Sequence, residues 1–162
     1  MSSFPPGEYW ASNVEQVGYC DLDAKPGFKL AIHQAAGRWF LYVAHLWQPG
    51  WTILDVTDPA KPEIIRFIDG PANTWTIQVQ VAGQRMITAL ERIAPGWGGD
   101  DDKPSEESVL IWDIADPEAP VQLGQYRVGG GGTHRNYYDG GRFVHLSLQR
   151  PGFQGQISLL SG

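Results

Sequence analysis

Short runs in which apolar and polar residues alternate recur along most of this chain. Thr74–Val81, TWTIQVQV, alternates without a break, which predicts a strand with one buried face. Arg38–His45 is apolar almost throughout, as expected for a strand covered on both faces. No long window has a helical period free of glycine and proline, so the pattern predicts an all-β fold with almost no helix. The other predicted strands include Lys29–His33, Ile64–Ile68, Met86–Glu91, Val109–Ile114, Val121–Tyr126, His134–Tyr138, Phe143–Leu148 and Gln156–Leu160.

Two stretches of the chain repeat each other, namely Trp51–Pro62, WTILDVTDPAKP, and Leu110–Pro120, LIWDIADPEAP. Each is a strand followed by Asp, two residues, Asp-Pro, two residues and Pro. An aspartate can accept hydrogen bonds from the backbone that follows it, and proline fixes φ at the next position, so the motif predicts a turn. The closing proline has no backbone donor and ends the strand. We predict structural rather than catalytic roles for the turn aspartates Asp55, Asp58, Asp113 and Asp116.

This motif resembles the LVIVD repeat, a β-propeller repeat of about one blade. Asp55–Pro62 fits the pattern without a gap, and Ile114–Pro120 departs from it only in having Ala115 where Ser or Thr is usual. The resemblance extends from about Asp21 to the end of the chain. It implies a propeller-like array of about three four-stranded blades, as a partial or open propeller. It implies no catalytic residues, because the family is largely uncharacterised and a fold does not fix a function.

The pattern also predicts how the chain is organised. Residues 1–17 are expected to form an irregular N-terminal arm, and residues 18–162 the partial propeller domain. Within that domain, residues 92–108 are rich in glycine, proline and acid, which indicates an exposed insertion between strands. The predicted strand at Gln156–Leu160 begins a third repeat without reaching its Asp-Pro turn. We therefore expect a fragment of a longer propeller, or a half ring that self-associates because its blade faces are uncovered.

Composition narrows the classes of partner. The net charge is −6 and the basic residues are scattered, which argues against a nucleic-acid partner. Cys20 is the single cysteine, so an internal disulfide and a CxxC zinc site are excluded. The N-terminus lacks the basic and apolar regions of a signal peptide, and no apolar stretch is long enough to cross a bilayer. We expect a cytoplasmic protein without membrane association.

The stretch Gly132–Tyr138 has the most reactive side chains in the sequence. His134 can titrate near neutral pH, and Arg135 can bind an anion. We predict that both residues bind a ligand on the channel face, together with His33 on another first strand and Trp75 as an aromatic surface. The alternative is that His134 is structural and that Arg135 pairs with an acid. The tryptophans have two readings as well, since blade packing requires the same side chains, and Trp97 is the one expected to be exposed.

Two functions remain open at this point. The first is a non-catalytic propeller module that binds a partner or small ligand on its channel face. The second is a metal-dependent enzyme whose histidine-lined channel is completed by residues outside this chain. The four histidines show no local ligand spacing, and Asp100–Asp102 lacks the spacing of a calcium loop, which favours a solvated acidic loop. The sequence identifies no metal site and no cofactor.

Overall fold

The computed structural model describes residues 12–150 and 152–161, with the backbone alone for residues 149, 150 and 153–161. In these residues the one helical element is a short 3₁₀ turn at Leu22–Ala24, and the prediction of an all-β fold with almost no helix is confirmed. The predicted arm is described only from residue 12 onwards, where it has no regular secondary structure. The strands are β1 (Gly27–Ala35), β2 (Arg38–His45), β3 (Gly50–Asp55), β4 (Glu63–Asp69), β5 (Thr74–Ala82), β6 (Arg85–Arg92), β7 (Ser108–Asp113), β8 (Val121–Tyr126), β9 (Gly132–Tyr137), β10 (Phe143–Arg150) and β11 (Phe153–Ser161).

The strands form antiparallel meanders, each made of strands consecutive in the chain. The first sheet has the order β1-β2-β3-β4, and we call it the first unit. The second sheet contains β5-β6-β7-β8, the second unit, and β9-β10-β11, the third unit. These two units are joined at a single pair of residues, Glu91 and Gly132. The described residues thus form two four-stranded units and one three-stranded unit, and they do not close into a ring.

Each unit packs a face on the next unit. The first core lies between the first and second units and includes Phe40, Trp51, Met86 and Trp112, with the rings of Trp51 and Trp112 5.9 Å apart, edge to face. The second core lies between the second and third units and includes Ile87, Val109, Val144, Leu146 and Leu148. Because side chains of a strand alternate between its two faces, the second unit can contribute to both cores at once.

The repeated turns share one hydrogen-bond pattern. Asp55 Oδ1 accepts a bond from the backbone N–H of Thr57 at 2.8 Å, and Asp113 Oδ1 accepts one from Ala115 at 2.7 Å. Each of these aspartates also pairs with an arginine of the preceding strand, Arg38 or Arg85. Asp58 and Asp116 each accept a bond from the backbone N–H two residues further on, at 3.0 Å in both turns. These bonds are the ones through which the predicted structural role would act.

The two ends of the units differ. One end carries the Asp-Pro turns, and we call it the repeat-turn end. The other carries the long β6–β7 loop, and we call it the insertion end. Neighbouring units keep the same ends together, since Thr76 at the start of β5 bonds Gly50 at the start of β3, and Tyr42 bonds the carbonyl of Pro117 in the second repeat turn.

Candidate functional site

The predicted ligand-binding residues do not come together in one place. His134 is near the start of β9, at the insertion end, whereas His33 lies two residues before the end of β1, at the repeat-turn end. Trp75 is near the start of β5, at the same end as His134. The predicted set therefore divides into an insertion-end group with His134, Arg135 and Trp75, and a separate His33.

Glu91 at the end of β6 and His134 on β9 form a carboxylate–imidazole pair. The His134 Nδ1 is 2.7 Å from Glu91 Oε2, and Glu91 is only 3% exposed. Burial raises the pKa of Glu91, while the bond to His134 and the charges of His134 and Arg135 act in the opposite direction. An ionised Glu91 makes Nδ1 the donor of this bond. His134 is partly exposed, and its Nε2 has no partner among the described residues, so the pair presents one oriented ring nitrogen.

Two glutamines of β5 hold β9 in place. The side-chain amide of Gln78 donates to the carbonyl of His134 at 2.8 Å, and that of Gln80 donates to the carbonyl of Asn136 at 2.6 Å. Both pairs advance by two residues, as the strand period requires. These bonds connect two strands that do not pair in a sheet, so they fix the backbone of His134 against the second unit.

Glycine is required where β9 begins. Gly132 has a φ of +91°, and a Cβ there would overlap the carbonyl oxygen of Leu90 and lie 3.0 Å from the Cα of Glu91. The bend before it is held by Glu107, whose Oε2 accepts bonds from the backbone of Val128 and Gly129 at 3.2 and 3.0 Å. This close approach lets the histidine on β9 reach the carboxylate on β6.

The β6–β7 insertion is anchored to the β4–β5 connection. Asn73, with a φ of +55°, accepts a bond from the backbone of Asp100 and donates to the carbonyls of Asp100 and Lys103, at 2.9 to 3.1 Å. The insertion places Trp97 against Trp75, with ring centroids 5.9 Å apart in an edge-to-face arrangement. Trp97 is 55% exposed, which confirms the expectation for this residue, while Trp75 is 5% exposed. The aromatic surface offered to solvent here is therefore that of Trp97 and not that of Trp75.

The indole nitrogen of Trp75 is buried without a hydrogen-bond partner among the described residues. Arg135 is exposed, and its charge favours the ionised form of Glu91, opposing the burial that raises the pKa of that carboxyl. An oriented ring nitrogen on His134, the exposed guanidinium of Arg135 and an exposed indole thus occur at the same end. This combination suits a small ligand with an acceptor group and a flat apolar part.

The acidic residues of the insertion serve the loop itself. Asp100 pairs with Lys103, Asp101 pairs with Arg92, and Glu106 pairs with Arg127. The bond from Lys103 is the first cause that lowers the pKa of Asp100, followed by a bond from the backbone of Asp102. The described residues contain no cluster of three or more His, Cys, Asp or Glu side chains able to hold a metal ion. The arrangement is that of a solvated acidic loop.

The other histidines have separate environments. His45 is buried, with Nδ1 3.0 Å from the carbonyl of Pro26 and Nε2 2.7 Å from the Thr52 hydroxyl, and burial lowers its pKa. His145 is exposed beside Tyr137. His33 lines a cavity of about 490 Å³ at the repeat-turn end, together with Arg38 and with Asp116 and its neighbours in the second repeat turn. Burial lowers the pKa of His33 as well.

Sequence reasoning missed the residues that position His134. Glu91, Gln78 and Gln80 were assigned only to strands, although a signal was present. Gln78 and Gln80 occupy two alternate positions of β5, so they share a face, and the structure places that face against β9. When both faces of a strand are covered by neighbouring units, polar side chains along one face indicate hydrogen bonds to the unit on that side.

Neither a protein-family model nor a curated protein matches the chain. The resemblance to the LVIVD repeat therefore stays a prediction. The described part of the chain contains no helix with the length and apolar character that a membrane span requires.

Proposed function

We propose that the chain is a non-catalytic module of an LVIVD-type β-propeller, and that it binds a partner or small ligand at the insertion end. Three successive meanders packed face to face support the propeller, as does β5, which contacts both β1 and β9. The first strands of the units are thus adjacent, as they are around the axis of a propeller.

The Glu91–His134 pair carries the ligand-binding part of the proposal. A buried carboxylate orients the imidazole, and Nε2 is left for a ligand. Arg135 adds a positive charge beside it, and Trp97 adds an exposed ring at the same end. Together they favour a small molecule with a carboxylate or phosphate group attached to a flat apolar part.

Benzoate is a suitable first probe, because it joins a carboxylate to an aromatic ring. Tryptophan fluorescence should change with saturation as benzoate is added to the protein at neutral pH. His134→Gln should weaken the apparent affinity at least about tenfold, the effect of losing about 1.4 kcal/mol of binding free energy. His145→Gln is the matched control, an exposed histidine outside the site, and should bind as the unmodified protein does. Equal binding by both variants would refute the site.

One observation favours the second function, a metal-dependent enzyme. A carboxylate bonded to one nitrogen of a histidine is the arrangement that orients many metal-ligating imidazoles. His134 would be one ligand, and the others would come from outside the described residues. Metal analysis of protein purified without chelator separates the two functions. A stoichiometric transition metal that is lost in His134→Ala would favour the metal-dependent enzyme over the binding module.

A further inference from the structure

The cavity that His33 lines is walled by parts of the first two units. The first unit contributes the end of β1 and the start of β2, and the second unit contributes Gly83 and Gln84 of the β5–β6 turn and residues 114–118 of the second repeat turn. The volume of about 490 Å³ lies within the range of pockets that hold small organic molecules. None of the residues proposed to bind a ligand at the insertion end lines this cavity, so a ligand here would occupy a second, separate site.

The cavity lies where the first unit lacks two glutamines that the second unit has. Counting back from the first residue of the second strand in each unit, Ala31 and His33 on β1 take the places of Gln78 and Gln80 on β5. The two glutamines reach across to β9 and donate to its carbonyls. Ala31 packs against the first core, so His33, two residues further along the strand, lies on the same face, towards the second unit. The amide bonds that join the second and third units are thus replaced here by open space beside an imidazole.

The ring of His33 is available to a ligand in this cavity. Its centroid lies 6.5 Å from that of the Tyr42 ring, and within the described residues neither of its nitrogens has a hydrogen-bond partner. Burial lowers the pKa of His33, so the ring is neutral at neutral pH and can accept a hydrogen bond through one nitrogen. The side-chain amides of Gln34 and Gln84 belong to the same lining. This lining therefore offers hydrogen-bond acceptors without adding positive charge.

The lining carries more negative than positive charge. Asp116 and Glu118 supply two carboxylates, and Arg38 supplies a guanidinium. That guanidinium is shared, because it pairs with Asp55 at 2.6 Å as well as with Glu118. Burial is the first cause that raises the pKa of neighbouring Tyr42, and the negative charge of Asp116 is the second. With two carboxylates against one guanidinium, the lining favours a ligand that carries positive charge.

The two repeat turns differ at one of the residues that supply this charge. Glu118 stands where the first turn has Ala60, although both turns have the same Asp-Pro and the same bond from the backbone two residues further on. The turn therefore does not require the carboxylate of Glu118. The side chain of Glu118 is 41% exposed, and an exposed ion pair such as the one with Arg38 adds little stability. The carboxylate is thus better explained by binding than by folding.

We propose that this cavity between the first and second units binds a small organic ammonium ion. The ammonium group lies at Asp116 and Glu118, where N–H donors form charge-assisted hydrogen bonds with the carboxylates. The apolar part of the ligand contacts the small apolar residues of the lining, including Ala115 and Pro117. The proposal does not depend on the insertion-end site, whose ligand is proposed to be an anion. The two ends of the units thus bind ligands of opposite charge.

Benzylamine is the probe, because it carries an ammonium group on a small apolar body and is the cationic counterpart of benzoate. Isothermal titration calorimetry at neutral pH should show saturable binding of benzylamine. Benzyl alcohol, which has nearly the same shape without the charge, should bind at least about tenfold more weakly. In NMR spectra, benzylamine should shift the ring protons of His33 and not those of His134, and benzoate should do the reverse. Lack of saturable binding, equal binding of the alcohol, or shifts at His134 and not at His33 would overturn the proposal.

Three variants test the carboxylates. Asp116→Asn and Glu118→Gln should each weaken benzylamine binding about tenfold, the effect of losing about 1.4 kcal/mol of binding free energy. Asp58→Asn is the matched control and should bind as the unmodified chain does, because Asp58 accepts the equivalent bond in the first turn but does not line the cavity. If Asp116→Asn fails to fold in urea unfolding, Glu118→Gln decides alone, since it removes an exposed pair. Equal affinity of Glu118→Gln and Asp58→Asn would overturn the proposal. Benzoate binding should be the same in all three variants, so the two sites are read separately.

Discussion

The two ends of the units differ in whether their hydrogen bonds repeat from one unit to the next. At the repeat-turn end the same bonds occur twice, around Asp55 and around Asp113. At the insertion end each connection is different, and its contacts occur once, as in the Glu91–His134 pair and the Asn73 anchor. The repeated end shows what a unit needs in order to fold. The contacts of the unrepeated end differ from one unit to the next, and a specific function is best sought there.

The largest effect that sharpens this comparison is expected at Gly132. Gly132→Ala forces a left-handed φ on alanine and an overlap with Leu90, which together should cost about 2–5 kcal/mol of unfolding free energy. Gly129→Ala is the control, since it also has a positive φ but open space around it, and should cost about 1–2 kcal/mol. Urea unfolding measures both. Equal losses would mean that the close approach of β9 to β6 does not matter for stability.

The next effect concerns the repeat-turn end. Asp113→Ala removes the acceptor of Ala115 N–H and the partner of Arg85, and should cost about 1–2 kcal/mol in urea unfolding. Benzoate binding at the insertion end should not change. If Asp113→Ala kept full stability and abolished binding, the structural assignment would be wrong and the comparison of the two ends would fail.

Acid should act more strongly on the insertion end. An unfolded histidine takes a proton near pH 6.5, but buried His45 has a lowered pKa and takes it only at lower pH. Between pH 6.5 and the lower pKa of folded His45, the unfolded state binds more protons than the folded state. The free energy of unfolding should therefore fall as the pH decreases from 7 to 5. His33 acts in the same direction from a less enclosed position. His45→Gln should therefore remove more of this slope, measured by urea unfolding at several pH values, than His33→Gln does.

Glu91 affects the pH dependence of stability in the opposite direction to the two histidines. Its pKa is raised in the folded state, so above the unfolded pKa the folded state binds more protons, and stability falls as pH rises through that range. A steeper acid loss in Glu91→Gln than in the unmodified chain would show this opposing contribution. The same loss in both would mean that Glu91 does not oppose the histidines in this pH range.

Periodicity was sufficient to predict the fold class. The alternation of Thr74–Val81 and the apolar run of Arg38–His45 are local features, and the observed strands cover both stretches. The turns could be predicted as well, because the aspartates of the motif form hydrogen bonds with the backbone that directly follows them. What periodicity could not supply is which faces of neighbouring units pack together, because that depends on contacts between distant parts of the chain.

Only part of the candidate site could be predicted from the sequence, for the same reason. His134 and Arg135 are chemically distinctive and were predicted from the sequence. Glu91 is 43 residues away from His134 in sequence, and only the pairing of β6 with β9 brings it near. The grouping of His33 with His134 came from their shared place on first strands. The two residues differ in their position along the strand, however, and this difference puts His33 and His134 at opposite ends of the units.

The smallest effect is expected at Thr57, where the two repeats differ. Its hydroxyl accepts a bond from Trp39 N–H at 3.0 Å, but the second repeat has Ala115 at the same place and still keeps its turn. Thr57→Ala should therefore change the unfolding free energy by less than about 0.5 kcal/mol. The hydroxyl is also the first cause that lowers the pKa of Asp55 to about 2, ahead of the backbone bond and Arg38. An NMR titration should thus show a higher Asp55 pKa in Thr57→Ala, and an unchanged one in Thr57→Ser, which keeps the hydroxyl. A large loss of stability would show that the two turns are not equivalent, and the repeat would then no longer identify which bonds every unit requires.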